Sequence, residues 1–552
     1  PEGVLRALAP LRPTLGRGGY DEEWRTRHLA SRAWRALGQL DSAVVEGRRA
    51  LETVERVRRS YGSGLLRSSF AAGKRAVYAD LVETLVGQGR LAESLAVSDA
   101  ARARALDEAV VEDEGSWVEE SGELLLREID RVLESAEAIE SGEMSWDPGV
   151  DSLALGELYV RLAELRSRYE TTVRSSGDEG RALDLEAVRR ALGPNEVAVE
   201  YFVPEDGVVR VFLVTRSGVD VLDTDLTAHN LRSRVRLARA LLADRATRVD
   251  DMRSVLAGMF ESLLRPVLET HRVPDGADLL VVPHDVISYV PPTLWLDEER
   301  GMTVGERYRV RILPALALIT TQPDARSGFG EATAFAPLTG ELPATRDEAM
   351  AVGRATGATL LVDGDATEGA FRQALERSDL VHVATHGVLN THHPLFSRIV
   401  FADGAGGSSR DDGRLEVHEL LDLQAGAGLV FLSGCETGVG RAASSRYGPG
   451  EDYLTLGQAF LRAGAGAVVA TLWRVDDEAS ATFAAHFYEA LRTRSAADAL
   501  RHAQRAMRQD PRYEAPYFWA GYQLLGASGP VSAEGWAGSP SEPERRVADN
   551  LP

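Results

Sequence analysis

The sequence predicts two architectures in series: an all-helical array in roughly the first hundred residues, then an α/β region with a largely parallel sheet. Two observations carry this. Before residue 110, apolar residues recur at helical spacing. After residue 195, short apolar runs of strand length alternate with helical stretches, the pattern of strand–helix–strand units.

The array opens with Leu29, Ala30, Ala33, Trp34, Leu37 and Leu40, spaced for one helical face. Gly38-Gln39-Leu40 then turns the chain into a second helix containing Ala43, Val44, Ala50 and Leu51. The sequence repeats the arrangement at Leu81 to Leu85, then Gly89-Arg90-Leu91 and the run to Ala96. A small residue at the turn, with alanine where two helices touch, is the logic of tetratricopeptide repeats. The two turn glycines are 51 residues apart rather than one repeat length, so the array is irregular, with an extra loop near Tyr61-Gly62-Ser63-Gly64. A solenoid of this kind binds a peptide or protein partner; a plain helical bundle is the alternative.

Residues 107–147 carry 15 acids against two arginines, Arg127 and Arg131. Leu124, Leu125, Ile129, Val132, Leu133 and Ile139 still allow an amphipathic helix there, ended by Asp147-Pro148-Gly149. A further helix is expected from Leu153 to Arg168. The acidic stretch reads either as a solvated helical face or as a docking surface for a basic partner.

Gly193-Pro194-Asn195 marks the change of pattern. Val197 to Val203, Val208 to Thr215 and Val219 to Leu222 read as strands joined by tight turns. Helices are expected over Leu231 to Ala243 and Val255 to Leu268. Buried strands follow at Leu279–Val282, Tyr308–Leu313, Thr333–Ala336, Leu360–Val362, Leu380–Thr385, Ile399–Phe401, Leu429–Ser433 and Ala467–Leu472. Helices at Arg346–Thr356, Glu368–Glu376, Tyr453–Ala463 and Ala479–Thr493 lie between and after them. The expected domains are helical repeats at 1–110, an acidic helical linker at 111–195, two sheet regions at 196–325 and 326–527, and a disordered tail at 528–552.

Composition excludes several classes. With 62 Lys+Arg against 84 Asp+Glu in 552 residues, the net charge is −22. A protein this acidic lacks the basic footprint that nucleic acid or a polybasic membrane contact needs. Cys435 is the one cysteine, which excludes a disulfide framework and multi-cysteine metal sites. No apolar run approaches the ~18 residues that span a bilayer. The chain starts at Pro1 without a charged-then-apolar signal pattern, and a cytoplasmic location is the expectation.

The one lysine, Lys74, precedes Arg75, so there is no Walker A loop, and no Gly-x-Ser-x-Gly elbow occurs. Gly464-Ala465-Gly466 precedes its strand, the wrong order for a dinucleotide turn. Two strand ends carry the candidate chemistry. Leu380–Thr385 delivers His386-Gly387, and Leu429–Ser433 delivers Gly434-Cys435-Glu436-Thr437-Gly438. Parallel sheets bind ligands beyond the carboxyl ends of their strands. A thiol there needs a basic neighbour to be populated as thiolate, and a histidine supplies it. The backbone N–H groups of Gly387 and Cys435 are the candidate oxyanion hole. His382, on the same strand, reads as a core residue, since the glutamate and helix of a His-Glu-x-x-His metal site are missing. No metal and no cofactor are expected.

The run Asp379 to Asn390 resembles the histidine motif of CHAT domains, the caspase- and separase-like peptidases found with tetratricopeptide repeats. Pro394 to Asp403 is similar to the segment that follows that motif, and Leu432 to Gly438 to the cysteine motif. Ala463-Gly464-Ala465 through Asp477, Leu342 to Ala349, and Tyr517 to Gly526 fit as well. The separation of His386 and Cys435, 49 residues, is similar to that in caspases. The resemblance covers roughly 196–527 and implies a caspase-like sheet, with 196–325 a degenerate half and 326–527 the active half. His284 and Pro314-Ala315 depart from the usual pattern, away from the pair.

The resemblance implies a cysteine endopeptidase in which Cys435 attacks a peptide carbonyl and His386 handles protons. It also implies a stress or defence setting, with a protein substrate and a protein activator or regulator held by the repeats. Asp476 and Asp477 follow the Trp473 strand, where the separase-like pattern places an acid facing the P1 side chain. A carboxylate there would select a basic P1 residue, with Asp477 ahead of Asp476; other caspase-like enzymes cut after Asp. An acidic pair at the start of the next helix equally suits a helix N-cap. The loop Asp403 to Gly413 is expected to be mobile. The competing reading is a catalytically silent partner-binding scaffold, and a third is a cysteine hydrolase of small esters.

Overall fold

Gly38 and Gly89 both adopt left-handed backbone, with φ of 73° and 70°. In each case the following residue's N–H reaches back five residues, Gln39 to the Trp34 carbonyl and Arg90 to the Leu85 carbonyl, both at 3.0 Å. This glycine-dependent stop closes a helix and turns the chain into the next one. The computed structural model describes residues 1–10, 20–60, 74–107, 183–321, 330–338, 340, 342–388, 397–404, 411–421, 423–434 and 456–528, and the single positions 128, 132, 135, 158, 161 and 165.

Two compact units are present, one comprising Pro1–Thr84 with Asp107–Glu179, the other Leu85–Leu106 with Gly180–Pro552. In the first, α1 (Glu2–Leu8) precedes α2 (Tyr20–Ala36) and α3 (Leu40–Ser60), and α2 packs against α3. Trp24, Ala50, Val54 and Val77 form a buried cluster. Val77 comes from α4 (Arg75–Gly87). Asp80 on the same helix accepts from Arg35 at 2.8 Å and lies 2.7 Å from His28. Burial opposes ionisation of Asp80, but the His28 hydrogen bond and the arginine charges outweigh it and lower the pKa.

The second unit contains α5 (Leu91–Asp107) up to Leu106, although its sequence reads as part of the repeat array. After α6 (Leu185–Ala191), β1 (Glu196–Phe202), β2 (Val208–Thr215) and β3 (Gly218–Thr227) form an antiparallel meander. Then come α7 (Ala228–Leu242), α8 (Arg253–Leu263), α9 (Arg265–His271) and β4 (Asp278–Val282). The small pair β5 (Leu296–Asp297) and β6 (Met302–Thr303) precedes α10 (Val304–Arg307) and β7 (Arg309–Ile312). The remaining order is β8 (Ala332–Ala336), α11 (Pro343–Thr356), β9 (Thr359–Val362), α12 (Glu368–Arg377) and β10 (Leu380–Ala384). Next are β11 (Gly387–Val388), β12 (Arg398–Val400), β13 (Arg414–Glu416), α13 (Val417–Leu421) and β14 (Leu429–Ser433). The unit ends with α14 (Leu456–Arg462), β15 (Ala467–Thr471), α15 (Asp477–Leu491), α16 (Ala496–Gln509) and β16 (Tyr522–Gly526).

Among the described residues, eleven strands form one sheet in the order β3-β2-β1-β4-β7-β16-β15-β14-β10-β8-β9. Pairing is parallel from β1 through β4 and β7 to β16, and again from β15 through β14, β10 and β8 to β9. Antiparallel pairing occurs at the β1–β2–β3 edge and between β15 and β16. β10, β14 and β15 are buried at every position. Their largely apolar sequences, interrupted by the buried His382 in β10, follow from layers on both faces of a parallel sheet. The expected fold class, a helical N-terminal region followed by a largely parallel α/β sheet, is the one observed.

Particular elements differ from the sequence reading. β16 enters between β7, with which it pairs in parallel, and β15, with which it pairs antiparallel, and joins the two sets of strands. A separate three-stranded antiparallel ribbon, β11–β12–β13, follows His386. The acidic stretch beyond Asp107, the helix expected at 153–168, the loop positions 405–410, the start of the helix expected at Tyr453 and the tail after 528 lie outside the described residues, apart from the single positions named. No helix among the described residues is long and apolar enough to cross a membrane.

Candidate active site

β10 and β14 pair in parallel with Leu380 opposite Leu429 and Ala384 opposite Ser433, a constant offset of 49 residues. The chain positions of His386 and Cys435 differ by the same 49. Both positions therefore follow aligned strand ends by two residues. Cys435 and the motif residues after it lie outside the described residues; Gly434 is the last described residue before them.

His386 is half-buried at the carboxyl end of β10. Its carbonyl accepts from Val400 N–H at 3.1 Å, and the Thr385 hydroxyl donates to the Val400 carbonyl at 2.7 Å. These bonds tie the residue to the first turn of the ribbon, in which Gly387 pairs with Ile399. On the neighbouring strand, Thr385 N–H donates to the Ser433 carbonyl at 3.2 Å, and the Thr471 hydroxyl donates to the Gly434 carbonyl at 2.5 Å. Three successive strand ends are thereby locked together at the residues that precede the candidate pair.

A cavity of about 240 Å³ opens beside these ends. Thr385, Ser433, Gly434 and Thr471 line it from the sheet, Thr345 and Glu348 from α11, and Asp476, Asp477 and Ser480 from the start of α15. Asp476 caps α15, accepting from Ala479 N–H at 3.3 Å, and pairs with Arg245 at 3.1 Å. Asp477 accepts from the Ala344 N–H in the first turn of α11 at 2.9 Å. Both acids singled out from the sequence face the cavity, and both serve helix N-termini, where carboxylates are stabilised.

Glu348 and Arg245 were not legible as site residues. Thr345, Glu348, Ala349, Val352 and Thr356 form the buried stripe of α11. An acid in such a stripe is the available signal, because unpaired carboxylates are rarely fully buried. Arg245 comes from the turn after α7, and its guanidinium lies 4.9 Å from the Tyr517 ring centre. His382 is fully buried, within 3.0 Å of the Tyr488 hydroxyl and 5.1 Å from the Phe431 ring centre, as expected of a core histidine. The Trp473 indole N–H donates to the Tyr517 carbonyl at 2.8 Å. A Cβ at Gly521 would meet the Trp473 ring at 3.0 Å, a tight contact that glycine avoids. Among the described residues, no group of three or more His, Cys, Asp or Glu side chains could hold a metal ion.

A family model described as the CHAT domain matches residues 253–527. Tetratricopeptide repeat protein 28 of Mus musculus is 28% identical over 220 residues, covering 34% of this chain and 9% of that protein. The Homo sapiens protein of the same name matches with the same identity and coverage. The chain thus spans 9% of the length of these curated relatives. Among solved structures, the Saccharomyces cerevisiae separase–securin complex gives a TM-score of 0.43 at 11% identity, covering 94% of this chain and 48% of that one. The complex of Porphyromonas gingivalis RgpB pro- and mature domains gives 0.33 at 13% identity, covering 55% and 77%.

Proposed function

Because the chain is a CHAT-domain protein over residues 253–527, we propose that it is a regulated cysteine endopeptidase acting through Cys435 and His386. The observation that carries this is the shared 49-residue offset: the strand register and the His–Cys separation are the same number. Adjacent strands run about 4.8 Å apart, which supports reading His386 and Cys435 as a pair.

The Cys435 thiolate attacks the scissile carbonyl carbon, and the oxyanion is held by the N–H groups of Gly387 and Cys435. The C–N bond then breaks as the His386 imidazolium gives its proton to the departing amine. Water, losing a proton to His386, attacks the thioester, and the acid product leaves with the thiol restored. The acids around the cavity favour a basic P1 residue. Substrate and activator are proteins, and the helical repeats are the surface that takes the activator.

The test is N-terminal proteomics of candidate protein partners incubated with wild type or with Cys435→Ala. New termini that appear only with wild type, next to Arg or Lys, are expected; termini that persist in Cys435→Ala overturn the dyad. The mammalian relatives, named as a tetratricopeptide repeat protein, favour a second reading as a silent partner-binding scaffold. Capture of a partner by wild type with no new termini would decide for that reading.

A further inference from the structure

We propose that Glu348 is the specificity-determining carboxylate of the cavity, receiving the cationic end of a P1 arginine. This rests on the peptidase reading and identifies the group that selects its substrate.

The two aspartates at the mouth are already engaged. Asp476 is divided between the cap of α15 and Arg245, and Asp477 holds the Ala344 N–H. Glu348 differs. Its side chain is 1% exposed and lines the cavity, and its Oε1 has no hydrogen-bond partner. The facing group is the His382 ring, with Nε2 at 3.3 Å, and that nitrogen also makes no hydrogen bond. A carboxylate oxygen withdrawn from water without a donor is costly, and such groups call for an explanation. A guanidinium supplies the missing donors in a planar fork that suits a carboxylate.

The dimensions agree. A volume of about 240 Å³ lies below the roughly 300–1,000 Å³ of pockets for drug-sized molecules and suits one long side chain. Thr345, Thr385, Ser433, Thr471 and Ser480 contribute short polar walls, beside the apolar Leu342 and Val475. The Ser433 hydroxyl is a second buried group without a partner. Two arginines, Arg245 and Arg474, also line the cavity; Arg245 is held by Asp476, which leaves Glu348 as the buried carboxylate open to an entering arginine.

The experiment compares two peptides differing only at P1, arginine or its neutral isostere citrulline. Cleavage is measured with the full chain and with Glu348→Gln. Binding of the same peptides is measured by fluorescence anisotropy on full-length Cys435→Ala, with and without Glu348→Gln. Loss of one charge-assisted partner predicts that Glu348→Gln lowers kcat/KM and affinity for the arginine peptide about 10- to 100-fold. The citrulline peptide should change little. Glu348→Asp, which keeps the charge, should restore most of the arginine preference, and it serves in place of Glu348→Gln should that variant not fold. An equal loss for both peptides, or an arginine preference that survives Glu348→Gln, overturns the proposal. If wild type cuts neither peptide while binding keeps its Glu348-dependent arginine preference, the pocket assignment stands and the peptidase reading falls.

Discussion

At the scale of single residues, Asp476 has two duties that mutation separates. As N-cap of α15 it satisfies the Ala479 N–H, and Asp476→Ala should cost about 1 kcal/mol of stability, read from urea denaturation. Asp476→Asn keeps a capping oxygen and should cost only a few tenths of that. Arg245 holds the outer oxygen of Asp476 from an exposed position. An exposed pair is worth about 0–1 kcal/mol. Arg245→Ala should therefore lower KM for substrates with basic P1 by up to about fivefold, because a competing cation is gone; an unchanged or raised KM would show that Arg245 helps to form the pocket. His386 and Cys435 are legible as candidates because each follows a short run of strand character in the sequence. Glu348 could not, since its neighbours in space, His382 and the cavity, come from chain positions that only the sheet brings near.

At the scale of elements, α5 shows what periodicity conceals. Its Asp99 and Arg102 are charged, yet both are almost fully buried. Arg102 pairs with Glu200 on β1 and donates to the Tyr201 carbonyl. Ser98 donates to Glu200 at 2.7 Å, and Asp99 accepts from the Leu316 and Ala317 N–H groups. Charges are buried only when partnered, and the partners lie some hundred residues and more away in sequence, beyond the reach of any local pattern. Arg102→Ala would strand Glu200 next to Asp99 and should destabilise the chain by about 3–5 kcal/mol, measured by urea denaturation. Arg102→Met combined with Glu200→Gln removes both charges and should cost much less. If the double variant were as damaged as Arg102→Ala, packing rather than charge would hold α5. The strands themselves were legible because buried parallel strands are nearly all apolar; β16 was not, because its reversed direction depends on the gap between β7 and β15.

At the scale of the molecule, the formal charge of −22 counts every carboxyl as ionised. The fold alters that count. Burial, then the charge of Glu200, pushes Asp99 up to about 7. Burial pushes Glu368 up to about 7 against the pull of Arg372. Burial, with the charge of Glu368 also raising it, pushes Glu419 up to about 8 against His418 and Arg372. Each pKa is above its unfolded value, so between about pH 4 and pH 8 these three groups bind more protons in the folded chain than in the unfolded one. Stability from these groups is complete below the unfolded pKa values and is lost as pH rises through the folded ones, by up to about 1.4 kcal/mol per pH unit for each group while it titrates. Glu368 and Glu419 both hold Arg372, at the base of the ribbon that begins at Gly387. The prediction is that the denaturation midpoint falls from pH 5 to pH 8 and that amides of β12 and β13 exchange faster over the same range. Glu419→Gln, which cannot ionise, should flatten the ribbon's pH response while leaving that of α5 intact, because α5 responds through Asp99. A midpoint that rises from pH 5 to pH 8 would mean that these carboxyls are ionised in the fold, and that the acidic character of the chain persists through its interior.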